Sequence, residues 1–262
     1  MKIDGINPKE RWGLIPKLGQ HHPLTAEIQL NTMSIPGMDG EWDFGSELKP
    51  IPFNLSFRMI EMDKHEMQRK LKEFAVFLCD SYGKPRSVKL TYDYEPDRYY
   101  EVKLSKMLDP NRMANVTDIE VPFIAHKPYA QFIVPSSKIS WDSNIPFYND
   151  VLWSMDKTEF NITYPQTFKL VYSGTKSIRA GFKLQGTGDN VKVSANGKTM
   201  TFGNMNSTTY DVDGESYTIK KNGVDSLAST EFIELFHGEN EISISGSNLN
   251  LIFSEQLTYQ FI

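Results

Sequence analysis

Ser34-Ile35-Pro36-Gly37-Met38-Asp39-Gly40-Glu41-Trp42-Asp43-Phe44-Gly45 lies between two apolar-alternating runs. Ala26, Ile28 and Leu30 lead into it, and Ile51, Phe53, Leu55 and Phe57 follow it. A period of two is the mark of extended chain with one face buried. Gly37, Gly40 and Gly45 carry no Cβ, so the backbone can turn sharply there or approach another chain closely. Trp42 and Phe44 set wide apolar faces beside those turns. No nucleophile, metal cluster or phosphate loop falls in the stretch. It reads as architecture or interface rather than chemistry.

Moving outward, the first half predicts strands around a single helix. Asp63 suits an N-cap, and Glu66 three positions on completes a capping-box pattern. Met67, Leu71, Phe74, Ala75 and Leu78 then share one face at helical spacing, and Gly83 and Pro85 give the stop. A helix is expected from about Lys64 to Ser81, with Cys79 inside it. Val88, Leu90, Tyr92 and Tyr94 alternate as a strand, and Glu95-Pro96-Asp97-Arg98 suits a turn. Tyr100, Val102 and Leu104 return as the partner, and a further strand is expected over Val116–Ile124. Tyr92, Tyr94, Tyr99 and Tyr100 gather aromatic surface on this hairpin.

The pattern loosens from Lys127-Pro128 to Pro135, which divides the chain into domains 1–134 and 135–262. The stretch 135–165 is rich in Ser, Asn and Pro and carries Trp141, Phe147, Tyr148 and Trp153. Beyond it the chain reads as all β. Asn196-Gly197 is the strongest short hairpin signal, Asp213-Gly214 and Asn222-Gly223 mark further turns, and Gly238-Glu239-Asn240 turns into Ile242 and Ile244. Many short strands at regular spacing predict a β-sandwich or jelly roll. The fold class is therefore mainly β: an N-terminal sandwich-like domain with one packed helix and an extended hairpin, then a C-terminal β-sandwich.

The chain has 262 residues, long enough for one or two domains, and its formal charge is −5. That sign argues against a nucleic-acid binder with a broad basic surface. The single cysteine, Cys79, excludes an intrachain disulfide and a multi-cysteine zinc site. The first residues lack the apolar core of a signal peptide, and the longest apolar runs fall short of the roughly 20 residues that span a bilayer. Synthesis and folding in a reducing cytoplasm, without membrane insertion, are expected.

Candidate chemistry is thin. The carboxylate rows Asp39/Glu41/Asp43, Asp93/Glu95/Asp97 and Asp211/Asp213/Glu215 read as solvated faces, since adjacency in sequence does not place two carboxyls across a cleft. Asp211-Val212-Asp213-Gly214-Glu215 lacks the spacing of a calcium loop and reads as a β-turn. His21 and His22 are neighbours on extended chain, so their side chains point to opposite faces and do not chelate one metal. Gly186-Thr187-Gly188 opens no helix and is not a dinucleotide fingerprint. Without a secretory signal, Asn161-Ile162-Thr163 has no bearing on glycosylation. No enzyme, cofactor or metal is expected.

In its order of motifs the chain resembles the distal tail proteins (Dit) of long-tailed, non-contractile bacteriophages and related prophages. The carriers are Ile35-Pro36-Gly37-Met38-Asp39-Gly40 with Trp42-Asp43-Phe44-Gly45, the lone helix after the following strand, Asn196-Gly197-Lys198, and Gly238-Glu239-Asn240-Glu241-Ile242-Ser243-Ile244-Ser245-Gly246. Many members of that family have arginine where this chain has Met38. The resemblance implies a homohexameric ring at the tail tip, with N-terminal domains pairing strands between subunits and galectin-like C-terminal domains projecting outward. It implies partners too: the tail tube, the tail-associated hub or lysin protein, and in some phages receptor-binding proteins. The protein would then sit in the virion, made in the bacterial cytoplasm. Gly37, Met38, Asp39, Gly40, Trp42 and Phe44, with Tyr92, Tyr94, Tyr99 and Tyr100, are the expected subunit interface. An alternative is a carbohydrate-binding module for the host wall, motivated by Trp141 and Trp153; a wall hydrolase is a weaker third.

Overall fold

The computed structural model describes residues 1–134, 159–227 and 231–262. Trp141, Phe147, Tyr148 and Trp153 lie outside the described residues. The chain forms two compact units, Met1–Ala130 with Ile262, and Gln131–Phe261.

The first unit begins with β1 (Lys2–Ile3), α1 (Pro8–Trp12) and β2 (Ile15–Pro16), followed by β3 (Ile28–Met33), β4 (Trp42–Leu48), β5 (Ile51–Ile60) and α2 (Lys64–Phe77). It continues through β6 (Val88–Tyr92), β7 (Glu95–Leu104), β8 (Asn111–Met113) and β9 (Val116–Ala125). The main sheet runs β1-β6-β7-β9-β5-β2, and β8 pairs with β9. β5 buries Ile51, Phe53, Leu55, Phe57 and Met59 and exposes most residues between them, the alternation the sequence predicts. Its antiparallel partner β9 adds Ile119, Val121, Phe123 and Ala125 to the same core.

Met67, Leu71 and Phe74 bring α2 onto that core, Leu78 joins it just past the helix end, and Trp12 closes it from α1. The Trp12 ring meets Phe74 edge-on at 5.1 Å and Phe77 at 4.9 Å. At the α2 start the Asp63 carboxylate accepts from the His65 N–H at 2.8 Å. Glu66 pairs with Arg69 instead of reaching back to the cap, so half of the capping box is absent.

The helix stops at Phe77, four residues before the expected end, and Cys79 falls outside it, half-buried. The cause is the loop that follows. Asp80 Oδ1 accepts from the Tyr82 and Lys84 amides at 2.9 Å each. Arg86 then donates from Nε to the Phe77 carbonyl at 2.6 Å and from its amide to Leu78 at 3.1 Å. The terminal carbonyls are thus met by a returning chain rather than by another helical turn.

A second helix, α1, was not expected. Asn7 caps it, Pro8 opens it and Gly13 closes it at φ +71°. At five residues it is too short to display a helical period. The β6–β7 turn also differs from expectation: Tyr92 pairs with Glu95, so Asp93-Tyr94 make the turn and Pro96 lies inside β7. Packing of Tyr94 against its neighbours, described below, overrides the local proline signal.

The chain passes into the second unit within β10 (Ala130–Phe132) and continues with β11 (Glu159–Ile162), β12 (Gln166–Tyr172), β13 (Ile178–Arg179), β14 (Phe182–Ala195) and β15 (Lys198–Asp213). After them come β16 (Thr218–Lys221), β17 (Val224–Asp225), β18 (Glu234–Leu235), β19 (Gly238–Glu255) and β20 (Gln260–Phe261). A seven-stranded sheet runs β11-β19-β14-β15-β16-β17, with β12 also on β19. Asn196-Gly197 closes β14 on β15 with φ of +49° and +79°, both left-handed as a type I′ turn requires.

Most strands of this unit are short, as expected, but β14, β15 and β19 are 14, 16 and 18 residues long. Bulges carry them through positions that read as breaks. Gly186 has φ +139°, and a Cβ there would stand 2.1 Å from the Asn250 carbonyl oxygen of β19. Gly238-Glu239-Asn240, expected as a turn, opens β19; the Asn240 side chain ties off the preceding turn through the Phe236 amide and carbonyl at 2.9 and 2.8 Å.

Candidate interface

Among the described residues β3 and β4 pair only with each other, as a separate two-stranded sheet. Every residue from Glu27 to Pro50 is exposed except the half-buried Asn31. Such a ribbon is marginal in water by itself. The sequence nevertheless fills it with apolar side chains: Ile28, Leu30, Met33, Ile35, Met38, Trp42, Phe44 and Leu48, with Trp42 at 54% and Phe44 at 66% exposure.

The register shows how they are disposed. Ile28 lies opposite Leu48 and Leu30 opposite Ser46, all on one face. A bulge then intervenes, where the Asp43 carboxylate accepts from the Gly45 amide at 2.8 Å. Beyond it Met33 faces Trp42, and Met33 is of opposite parity to Leu30. The hairpin is therefore apolar on one face at its root and on the other at its tip.

The tip is closed from within. Trp42 Nε1 donates to the Met38 sulfur at 3.0 Å. Met38, the position that departs from the resembled family, thus has a contact inside its own hairpin. Gly37 and Gly40 sit at φ +86° and +88° with open space around any added Cβ. Within this chain they serve the turn, and close backbone approach is not what requires glycine there.

The second expected patch is built differently. Tyr92 is 5% exposed and packs inward, whereas Tyr94 is 64% exposed. His22 joins them: its ring stacks on Tyr92 at 4.3 Å, Nδ1 lies 2.7 Å from the Tyr94 hydroxyl, and Nε2 lies 3.4 Å from that of Tyr100. Phe53 meets Tyr100 at 4.9 Å from below. Tyr99 points elsewhere, under the Lys89 ammonium at 4.3 Å. Burial lowers the His22 pKa, and Glu95 opposes that shift in part. Burial also raises the Tyr100 phenol to about 12 and pushes that of Tyr92 higher still.

In the sequence His22 stands out only as a neighbour of His21. Its hydrogen-bond partners Tyr94 and Tyr100 are 72 and 78 residues away in sequence, and only the alternating tyrosines hint at an aromatic face waiting for a partner. His22 and Gln20 together pin the segment between β2 and β3. The Gln20 side chain accepts from the Ser56 amide and donates to its carbonyl, occupying the β5 edge as a strand would.

Asp213 accepts from the Glu215 and Ser216 amides at 2.9 and 3.3 Å, as a turn cap. Among the described residues no three His, Cys, Asp or Glu side chains gather as a metal site, and no helix is long and apolar enough to cross a membrane.

Residues 9–125 match the family model of the phage tail protein RIFT-related domain. The Dit protein (gp 19.1) of phage SPP1, described as a paradigm of the hub adsorption apparatus in phages infecting Gram-positive hosts, has a similar structure. That match covers 99% of this chain and 98% of that one, with a TM-score of 0.70 at 12% identity. Two structures of the phage p2 baseplate in its activated conformation, with Sr and with Ca, match at TM-scores of 0.43 and 0.40 and 11% identity. They cover 92% and 93% of this chain, and 89% and 90% of the p2 chains. No curated protein sequence matches. The resemblance read from the sequence is borne out, in the domain family of the first unit and in the fold along the whole length.

Proposed function

We propose that this chain, whose first unit is a phage tail protein RIFT-related domain within the fold of a distal tail protein, is a structural, non-catalytic part of a long non-contractile tail tip. Six copies form a ring through residues 1–134, and residues 135–262 project from it. The ring joins the tail tube to the hub protein and anchors receptor-binding proteins where the phage has them. The protein is made in the bacterial cytoplasm and resides in the virion.

One observation carries this reading: the β3–β4 hairpin exposes large apolar side chains on both faces and buries none of them within the chain. Isolated apolar residues on a surface need no explanation, but a projecting ribbon of them marks a contact with another protein. Native mass measurement of the purified protein tests the reading. Six-copy particles are expected, seen as rings by negative-stain imaging. A monomer at every concentration, with and without tube or hub protein, would sink it.

A further inference from the structure

We propose that the β3–β4 hairpin of one copy docks along the outer edge of β8 in the next copy, acid against base and apolar against methionine. This rests on the ring reading above and names the surface that receives the hairpin. Between Leu18 and Leu48 the chain holds Glu27, Asp39, Glu41, Asp43 and Glu47 and no lysine or arginine. Asp39, Glu41, Asp43 and Glu47 are exposed and make no ion pair among the described residues. The partner surface must therefore offer cations and apolar contacts together.

The segment 103–113 does so. Lys103, Lys106 and Arg112 are exposed there against a single acid, Asp109, and none of the three makes an ion pair among the described residues. Met107 is 81% and Met113 59% exposed beside them. Methionine suits an adaptable contact with Trp42 and Phe44. All three residues of β8 are exposed, and among the described residues β8 pairs with β9 along one side only, leaving its other edge open to a further strand.

Several other basic groups of this unit are committed: Arg69 to Glu66, Lys70 to Glu61, Arg86 to Asp4, and Lys17 with Arg58 to Asp118. The β2 edge ends in Pro16, which has no amide to offer, and Gln20 covers the strand beyond it. Hairpin and β8 are different patches of one copy. Their contact is head-to-tail and propagates until it closes, as a ring requires; a self-complementary patch would stop at two copies.

Charge reversal in the full chain tests this. Lys106→Glu with Arg112→Glu, or Glu41→Lys with Asp43→Lys, should each weaken association at least about tenfold, because like charges then meet. A chain carrying all four changes should reassemble, and wild-type association should weaken as salt rises. Native mass and sedimentation across concentration read assembly, and thermal melting reports that each variant is folded. If a reversed pair does not fold, Lys106→Gln with Arg112→Gln carries the same test with a smaller loss.

A ring that forms equally well in folded reversal variants overturns this contact and leaves the ring reading standing. Failure of the four-change chain to reassemble overturns the contact as well. A wild-type chain that never assembles removes both.

Discussion

His22 shows how a single residue takes its role from the fold. In sequence it is one of two adjacent histidines; in the structure its ring is stacked on Tyr92 and bonded to the Tyr94 hydroxyl. Burial lowers its pKa from the ordinary 6.5, while Glu95 acts the other way. In the unfolded chain the imidazole binds its proton near 6.5, before the folded chain does. As pH falls below about 6.5, the unfolded state gains protons first and stability drops, until the lowered folded pKa is passed. Denaturant melts of the wild type between pH 7.5 and 5 should show that loss. His22→Asn should start less stable and vary less with pH across the same window. An equal pH dependence in both proteins would place the titration elsewhere. Asn7, Asp80 and Gln20 act by the same kind of local geometry, each presenting a side chain to backbone groups that lack a ladder partner.

Elements divide into those whose period is visible and those that depend on a neighbour. The alternation of β5 and β9 and the apolar stripe of α2 are written in the chain, because burial on one face selects every second or every third and fourth residue. The end of α2 is set by Arg86 returning to its last carbonyls, which no local stop signal encodes. The length of β14 and β19 is likewise a pairwise property. Gly186 reads as a break until the partner strand is present, when it becomes a point where the β19 backbone leaves no room for a Cβ. Gly186→Ala places a Cβ against the Asn250 carbonyl at a φ unfavourable to any side chain. It should cost about 2 kcal/mol or more in thermal or denaturant unfolding. Gly197→Ala, with open space around its Cβ, should cost less. Equal losses at the two sites would mean that φ alone, and not the strand contact, decides.

For the whole molecule, the hairpin is the part whose removal should separate folding from assembly. Replacing residues 34–45 by a short Gly-Ser turn removes no buried side chain, since every residue in that range is exposed. Melting temperature should change little, while oligomers read by native mass should be lost. A matched loss of both would show that the tip supports its own chain. Much was legible from the sequence alone: a mainly β chain, one principal helix, the Asn196-Gly197 hairpin, and an apolar, glycine-bearing loop. These follow from periodicity and turn stereochemistry, which act over a few residues. Tertiary structure decided which apolar residues were core and which were left in water. Ile28 and Phe53 carry the same local alternation, yet one is exposed and the other fully buried. The reason is that burial depends on what lies opposite, and the strands facing Phe53 come from elsewhere in the chain, whereas among the described residues β3 pairs only with β4.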